Sequence, residues 1–507
     1  MKINLSVTAL STDPVEFVQT NPGTLAKDLS ALPSDDFLYT GHRLLNDLEQ
    51  FNRASVDDEL RLKLLDVYRV SILNLAKHLR RSVGESELPV SKKLLTILNI
   101  AIELHGHLAD GYKRIILNQD FSQETSLSGN ILIVSSERAM FSILEIIILS
   151  YLSYTPVPEN AWKEMHAIFQ MAQKKGFTGV KIPDNADGKK NVKILDIYLF
   201  ALLIGLSEPY GLARGGLYAL LPYFHFWTGH LSLFDKNNLE GLKYFFRIDP
   251  ELDKPFLPFP ESKPKGQLYL TTDSLVHQML GPNPPLGIAE EDKEHAPMLR
   301  RSLLPKLITS WSNYPIRRYR RNSATGDIDL VSGYADVIDF LRQQQAKQSP
   351  AKNKQIQTWQ IEDDSATGLG IEYHGHDVKP VSVGDLILYR NKSSAPSVAW
   401  MTGIIRRFYH LDRSHISIGI QRLPPDAQTG RLYKENDEKK DGYHILMYPE
   451  NTLLNSEASL ITPPGIFKSG SKYLVALDNG REFQARAIKA AQINPVLEQF
   501  TFDYLND

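Results

Sequence analysis

Arg317, Arg318, Arg320 and Arg321 fill four of five consecutive positions just before an alternating apolar and polar stretch, "DIDLVSG" (327–333). A guanidinium fork grips phosphate oxygens in pairs, reads the O6/N7 edge of guanine, or stacks face-on against a base. Taken alone, such a run equally fits a solvated turn or a patch for nucleic-acid backbone. A second segment, "IEDDSATGLGI" (361–371), brings complementary groups: the acceptor Asp363, the hydroxyl of Ser365 and the Cβ-free backbone of Gly368. Aspartate accepts from guanine N1–H and N2–H, and glycine permits close approach. Together the two segments describe a receptor for a guanine-containing phosphodiester. Neither sets a general base against a nucleophile, so the constellation is one for binding and no catalytic residue is assigned.

Other candidates are weaker. Arg300, Arg301 and Lys306 extend the basic character upstream. "HGH" at 105–107 falls on an expected helix, where residues two apart diverge and face solvent. "HGH" at 374–376 can share a face if extended, but it closes a strand without an evident third ligand, so no metal is expected. The aromatic group Tyr218, Tyr223, Phe224, Phe226 and Trp227 reads as core packing. No Walker loop, dinucleotide-binding glycine motif, HExxH or GxSxG elbow is present.

The 507 residues call for several domains, and 42% hydrophobic with 23% charged residues is a globular composition. A net charge of −2 argues against a surface built throughout for nucleic acid, so any anion site is local. The absence of cysteine excludes disulfides and thiolate metal sites. The apolar stretches at 146–158 and 215–234 read as buried helices: the first is too short to span, the second carries Pro222, His225 and His230. With no leader pattern at the start, a cytoplasmic protein without a membrane span is expected.

The first 240 residues carry helical periodicity. Helices are expected over 55–79, opened by Ser55 and Asp58 in capping-box spacing, and over 90–117, 135–154, 158–177, 192–206 and 210–228. They suggest stacked hairpins without a 34-residue repeat, a domain of protein-interaction type. "KYFFRIDP" and "GQLYLTTD" read as two short strands of a connector, followed by one helix over 295–311 broken near Pro305. From 327 onward six short alternating strands point to a small antiparallel barrel, interrupted by a helix and polar loop at 334–354. Asn479-Gly480 marks a type I′ hairpin in the tail.

Arg-x-x-x-Arg, then a barrel strand, then Asp-x-Ser-x-x-Gly resembles the signature of the PilZ domain, a cyclic di-GMP receptor. Arg317 and Arg321 stand at the motif spacing with Arg318 as the extra arginine, and Asp363, Ser365 and Gly368 form the second half. "GDLILYR", "AWMTGIIRRF" with Gly403 and "ISIGIQRL" with Gly419 are similar to later strands of the family. The likeness covers about 313 to 425, with the two motifs set unusually far apart by the 334–354 insertion. It implies cyclic di-GMP as ligand, with no cofactor. Arg317, Arg318 and Arg321 would clamp guanine and phosphate, and Asp363, Ser365 and Gly368 would complete the contacts. An extended backbone points Arg320 away from its neighbours.

The expected architecture is multidomain α plus β: an all-α helical-hairpin domain (1–240), a connector (241–312), a PilZ-like antiparallel barrel (313–425) and a C-terminal β extension with extra hairpins (426–507). The implied function is a non-enzymatic bacterial effector. It would relay the dinucleotide to a protein partner of the helical domain, through a segment joining 295–311 to the barrel, and homo-oligomers are allowed. The rival from another class is a nucleic-acid-binding adaptor using the arginines on phosphate backbone.

Overall fold

The computed structural model describes residues 3–505 apart from 13–18, 121–127, 184–190, 236–240, 258–267, 283, 288–298, 313–320, 346–355, 393–398, 413, 435–441 and 452–455. An N-terminal helical domain is followed by two antiparallel β-barrels, so the molecule is a multidomain α-plus-β protein.

The helical domain contains α1 (Pro22–Ser30), α2 (Phe37–Arg53), α3 (Asp58–Ala76), α4 (Leu79–Gly84), α5 (Lys92–Asp120), α6 (Ser128–Leu152), α7 (Ala161–Lys174), α8 (Ile194–Leu206) and α9 (Gly216–Trp227). Side-chain caps start several of them: Asn21 accepts from the Thr24 N–H, Asp36 from Tyr39 and Asp57 from Leu60. The cap of α3 is thus Asp57, not Ser55, because only Asp57 sits in the extended conformation one residue before the first helical turn. The expected helix over 55–79 divides into α3 and α4, and that over 210–228 begins as a 3-10 turn, Pro209–Gly211, before α9. Helix α6 is buried on every side from Ser135 to Leu152 and forms the centre, packed by α5, α7 and α8. Gly111 lets α5 approach α3 closely, since a Cβ there would lie 2.7 Å from Leu65 Cδ2.

Both apolar stretches flagged in the sequence are largely buried, although Phe226, expected in the core, is exposed on the outer side of its helix. Ile146 to Leu152 is buried in α6, and α9 buries Leu217, Leu220, Tyr223, Phe224 and Trp227, with Trp227 edge-on to Trp311 at 5.2 Å. Among the described residues one stretch, Ile194–Gly211, is long and apolar enough to cross a membrane, and 72% of it is buried within the fold. His105 corrects the sequence reading: it is 1% exposed, and burial pushes its pKa down to about 4. Glycine at 106 obscured that α5 is embedded on the His105 side.

A three-stranded sheet in the order β1 (Ser232–Asp235), β3 (Leu268–Thr271), β2 (Phe245–Ile248) builds the connector, which takes its first strand from the end of the range 1–240 expected to be all helical. The central strand β3 is the one expected at "GQLYLTTD", and β1 is a partner the sequence did not reveal. Within the expected helix over 295–311, Leu299–Leu303 is a π-turn that hands over to α-helix Leu304–Ser312. The irregular turn immediately precedes Pro305, whose missing N–H removes a helical hydrogen bond to that turn.

The first barrel is a ring of β5 (Asp327–Ser332), β8 (Leu386–Asn391), β9 (Met401–His410), β10 (His415–Arg422), β7 (Gly368–His374) and β6 (Gln357–Asp364), closed by the β6–β7 pairing. The two-residue strand β4 (Asn322–Ser323) adds to β6. Ile328, Leu330, Trp359, Leu369, Ile371, Ile405, Ile418 and Ile420 point inward, which is what the period-two pattern dictates. The second barrel is closed in the order β11 (Gln428–Lys434), β12 (Tyr443–Tyr448), β13 (Ser459–Thr462), β16 (Glu498–Leu505), β15 (Glu482–Ile493), β14 (Lys472–Leu477). Its Asn479-Gly480 hairpin is not type I′: Gly480 alone of the pair takes a positive φ, 91°, and Leu477 N–H bonds Arg481 O across a three-residue loop.

Helix Tyr334–Gln345, the described part of the insertion, packs on β5, β8, β11 and β12. Val337, Ile338, Phe340 and Leu341 share one apolar cluster with Leu388 of the first barrel and Leu446, Tyr448 and Ile461 of the second. This helix therefore welds the barrels together rather than lying over β6 and β7.

Candidate functional site

Strand β4 runs beside β6 with Asn322 opposite Asp364 and Ser323 opposite Asp363, which sets Arg321 against the start of the second motif. Arg321 Nη1 lies 2.6 Å from Asp363 Oδ2, a half-buried ion pair. The other carboxylate oxygen, Asp363 Oδ1, is buried and makes no hydrogen bond. Asp363 thus divides its acceptors: one holds the arginine and one is unsatisfied, an arrangement costly unless a donor reaches it.

The loop after Asp363 is closed on itself. Ser365 N–H donates to Gly368 O (2.9 Å), the Ser365 hydroxyl donates to the same oxygen (3.0 Å), and Gly368 N–H donates back to that hydroxyl (3.1 Å). A Cβ on Gly368 would sit 3.0 Å from Ile420 O. In this structure Ser365 and Gly368 shape the turn that aims Asp363. Asp364 pairs with Arg422, whose N–H also bonds Thr367 O.

A feature the sequence reading missed appears in the strand register. Asp363 stands opposite Gly370, Gly370 opposite Gly419, and Gly419 opposite Arg407. Cross-strand partners share a face, and the neighbours Leu369, Ile371, Ile418 and Ile420 point into the core, so this row lies on the outside of the barrel. Two central glycines leave a flat backbone shelf between Asp363 with Arg321 on one side and Arg407 on the other. A Cβ on Gly370 would meet Asp363 Oδ1 at 2.7 Å. Such a shelf accommodates a planar base while charged groups at its rims engage polar edges and phosphates. "GLGIEYHG" and "ISIGIQRL" each carry their glycine at an outward position, but only the register shows that these glycines are neighbours.

The expected site residues divide accordingly. Arg321, Asp363, Ser365 and Gly368 are brought together, whereas Arg317, Arg318 and Arg320 lie outside the described residues. The upstream basic residues do not join them. Arg301 pairs with Glu498 of the second barrel at 2.6 Å. Lys306 donates to Gly211 O in the helical domain, and burial pushes its pKa down to about 8. Both are commitments to interdomain packing.

Strand β9 links the shelf to the helical domain. Directly after Arg407, Phe408 is edge-on to Tyr154 (5.6 Å) and Tyr409 stacks obliquely on Tyr210 (4.5 Å). His410 N–H donates to Tyr154 O (2.8 Å), and Val90 N–H donates to His410 Nε2 (3.0 Å). That acceptor role requires an uncharged imidazole, and burial holds the His410 pKa down at about 4.

Helical domain, connector, first barrel and second barrel define a multidomain protein whose first barrel carries the glycine row on its outer face and contacts the helices through β9. Residues 24–237 match the family model described as "Cyclic-di-GMP receptor FimW, N-terminal domain", and residues 431–505 match that of the "FimW C-terminal beta-barrel domain". The protein described as "Cyclic-di-GMP receptor FimW" from Pseudomonas aeruginosa (strain PAO1) is 23% identical over 563 aligned positions, spanning 95% of this chain and 90% of that one. The chain is therefore similar, over nearly its whole length, to a cyclic-di-GMP receptor. The shelf lies between the two matched regions.

Proposed function

We propose that this chain is a non-enzymatic cyclic di-GMP receptor whose ligand lies on the Asp363–Gly370–Gly419–Arg407 shelf. The row of two glycines between opposite charges carries the reading, and the receptor name of the Pseudomonas aeruginosa relative supports it. Arg321, with Arg317 and Arg318, grips phosphate and the guanine Hoogsteen edge; Asp363 accepts from the guanine N1–H and N2–H; Ser365 and Gly368 set the loop. Arg407 is added to the set the sequence suggested. Strand β9 then passes the event on: Arg407 is three residues from His410, roughly 10 Å along a strand. A shift in β9 on ligation biases the packing of Tyr154, Tyr210 and Val90, and with it the surface the helical domain offers a protein partner. The reading places the protein in the cytoplasm, free of nucleic acid.

Calorimetric titration of cyclic di-GMP into the wild type, Arg317→Ala and Asp363→Ala tests this. Saturable binding lost in both variants is expected. Heatless mixing with the wild type overturns it. The nucleic-acid adaptor instead requires binding that weakens steeply with salt and ignores Asp363.

A further inference from the structure

Glu372 and His374 alternate on β7 and so share its outer face, while His415 on β10 is the direct cross-strand partner of His374. The three side chains converge: His415 Nε2 lies 2.8 Å and His374 Nε2 3.6 Å from Glu372 Oε2, with the two imidazole centroids 4.0 Å apart. One ligand atom from each falls within 4.8 Å of the others. His415 Nε2 is a buried atom without a hydrogen bond, because its approach to Glu372 lacks the alignment of one.

We infer that Glu372, His374 and His415 form a binding site for a divalent transition ion of the zinc class. Two ligands of a tetrahedral zinc ion, each about 2.0–2.1 Å from the metal, are about 3.3 Å apart, and the observed 2.8 and 3.6 Å bracket that edge. Two imidazoles and one carboxylate suit zinc-type ions and not magnesium or calcium, which prefer oxygen throughout. Three protein ligands leave a fourth position for water, facing solvent on the half-exposed His374 side. The backbone is fixed by the β7–β10 ladder, so the donors are held without the ordering of a loop. His376, the second histidine of the sequence motif, lies beyond the end of β7 and is not a ligand. This inference does not depend on the nucleotide reading. The site lies on the same face of the same strands as the shelf, four residues from Gly370, or about 13 Å.

The test is titration of the chelator-stripped full chain with zinc chloride in competition with a chromophoric chelator. One zinc per chain is expected, with affinity reduced more than about tenfold in His374→Ala and in His415→Ala and unchanged in His376→Ala or by excess magnesium. His374 is on the surface, so His374→Ala keeps its fold, verified by an unchanged far-ultraviolet spectrum. Zinc uptake absent from the wild type, or equal in wild type and both ligand variants, overturns the site and leaves a glutamate–histidine ion pair.

Discussion

Asp363 concentrates the chemistry of the proposed site because its two oxygens do different work. Oδ2 holds Arg321, and Oδ1 is the unsatisfied acceptor over Gly370. Asp363→Asn keeps the shape and removes the charge, so cyclic di-GMP affinity is expected to fall by about 1.5–3 kcal/mol, a ten- to more than hundredfold change, measured by calorimetry. An affinity equal to wild type would remove Asp363 from the site. Arg407→Ala is expected to weaken the ligand by at least about tenfold, the worth of one charge-assisted contact, with no change in melting temperature beyond a degree or two. At this scale the sequence was half legible. The DxSxxG segment announces itself by residue type, but Arg407 sits within an ordinary-looking "RRF", and only its pairing with Gly419 distinguishes it from Arg406. The Glu372, His374 and His415 cluster was hidden for the same reason: His374 and His415 are forty-one residues apart and adjacent only through β7–β10 pairing.

The strands were legible because alternation and turn residues are local signals, whereas the closure of β6 on β7 and the sheet order are long-range pairings that no local pattern encodes. Helix ends were less so. Asp57 and Ser55 are both good caps, and backbone conformation chose between them. Two elements invite stability measurements. Glu498 accepts from Gly465, Ile466 and Phe467 N–H and pairs with Arg301, so its carboxylate ties the second barrel to the turn preceding Leu304–Ser312. Glu498→Ala leaves those donors unmatched and is expected to cost about 3 kcal/mol, read as a lower transition temperature by scanning calorimetry. His105 and His410, both held at about 4 by burial, set a pH dependence. Each stays neutral in the fold, so the unfolded chain takes up protons first: their stabilisation is complete above pH about 6.5 and is lost as pH falls toward 4. Asp385, raised to about 6 by burial, acts in the opposite sense and offsets part of this loss. His410→Gln, which keeps an acceptor for Val90 N–H, is expected to flatten the fall in melting temperature over that range. An unchanged slope would show that His410 does not report on the domain contact.

At the scale of the molecule, joints among the described residues hold separate domains together, among them Phe408 to His410 against the helical domain, Lys306 on Gly211, Arg301 on Glu498, and helix Tyr334–Gln345 between the barrels. The helix that opens the insertion between the motifs proves to be the last of these joints, a role invisible in a short amphipathic segment read alone. Ligand on the shelf is expected to change hydrogen-exchange protection at 88–91 and 152–156 as well as along β9, and an effect confined to the barrel would contradict the relay. The central claim is the shelf itself. Gly419→Val leaves every charge in place, since a Cβ there comes no closer than 3.5 Å to Arg407 Cβ, and it adds bulk in the middle of the row, so calorimetric titration of this variant beside the wild type tests the claim most directly. Saturable cyclic di-GMP binding by the wild type and none by a folded Gly419→Val is the predicted result; equal binding by both would contradict it.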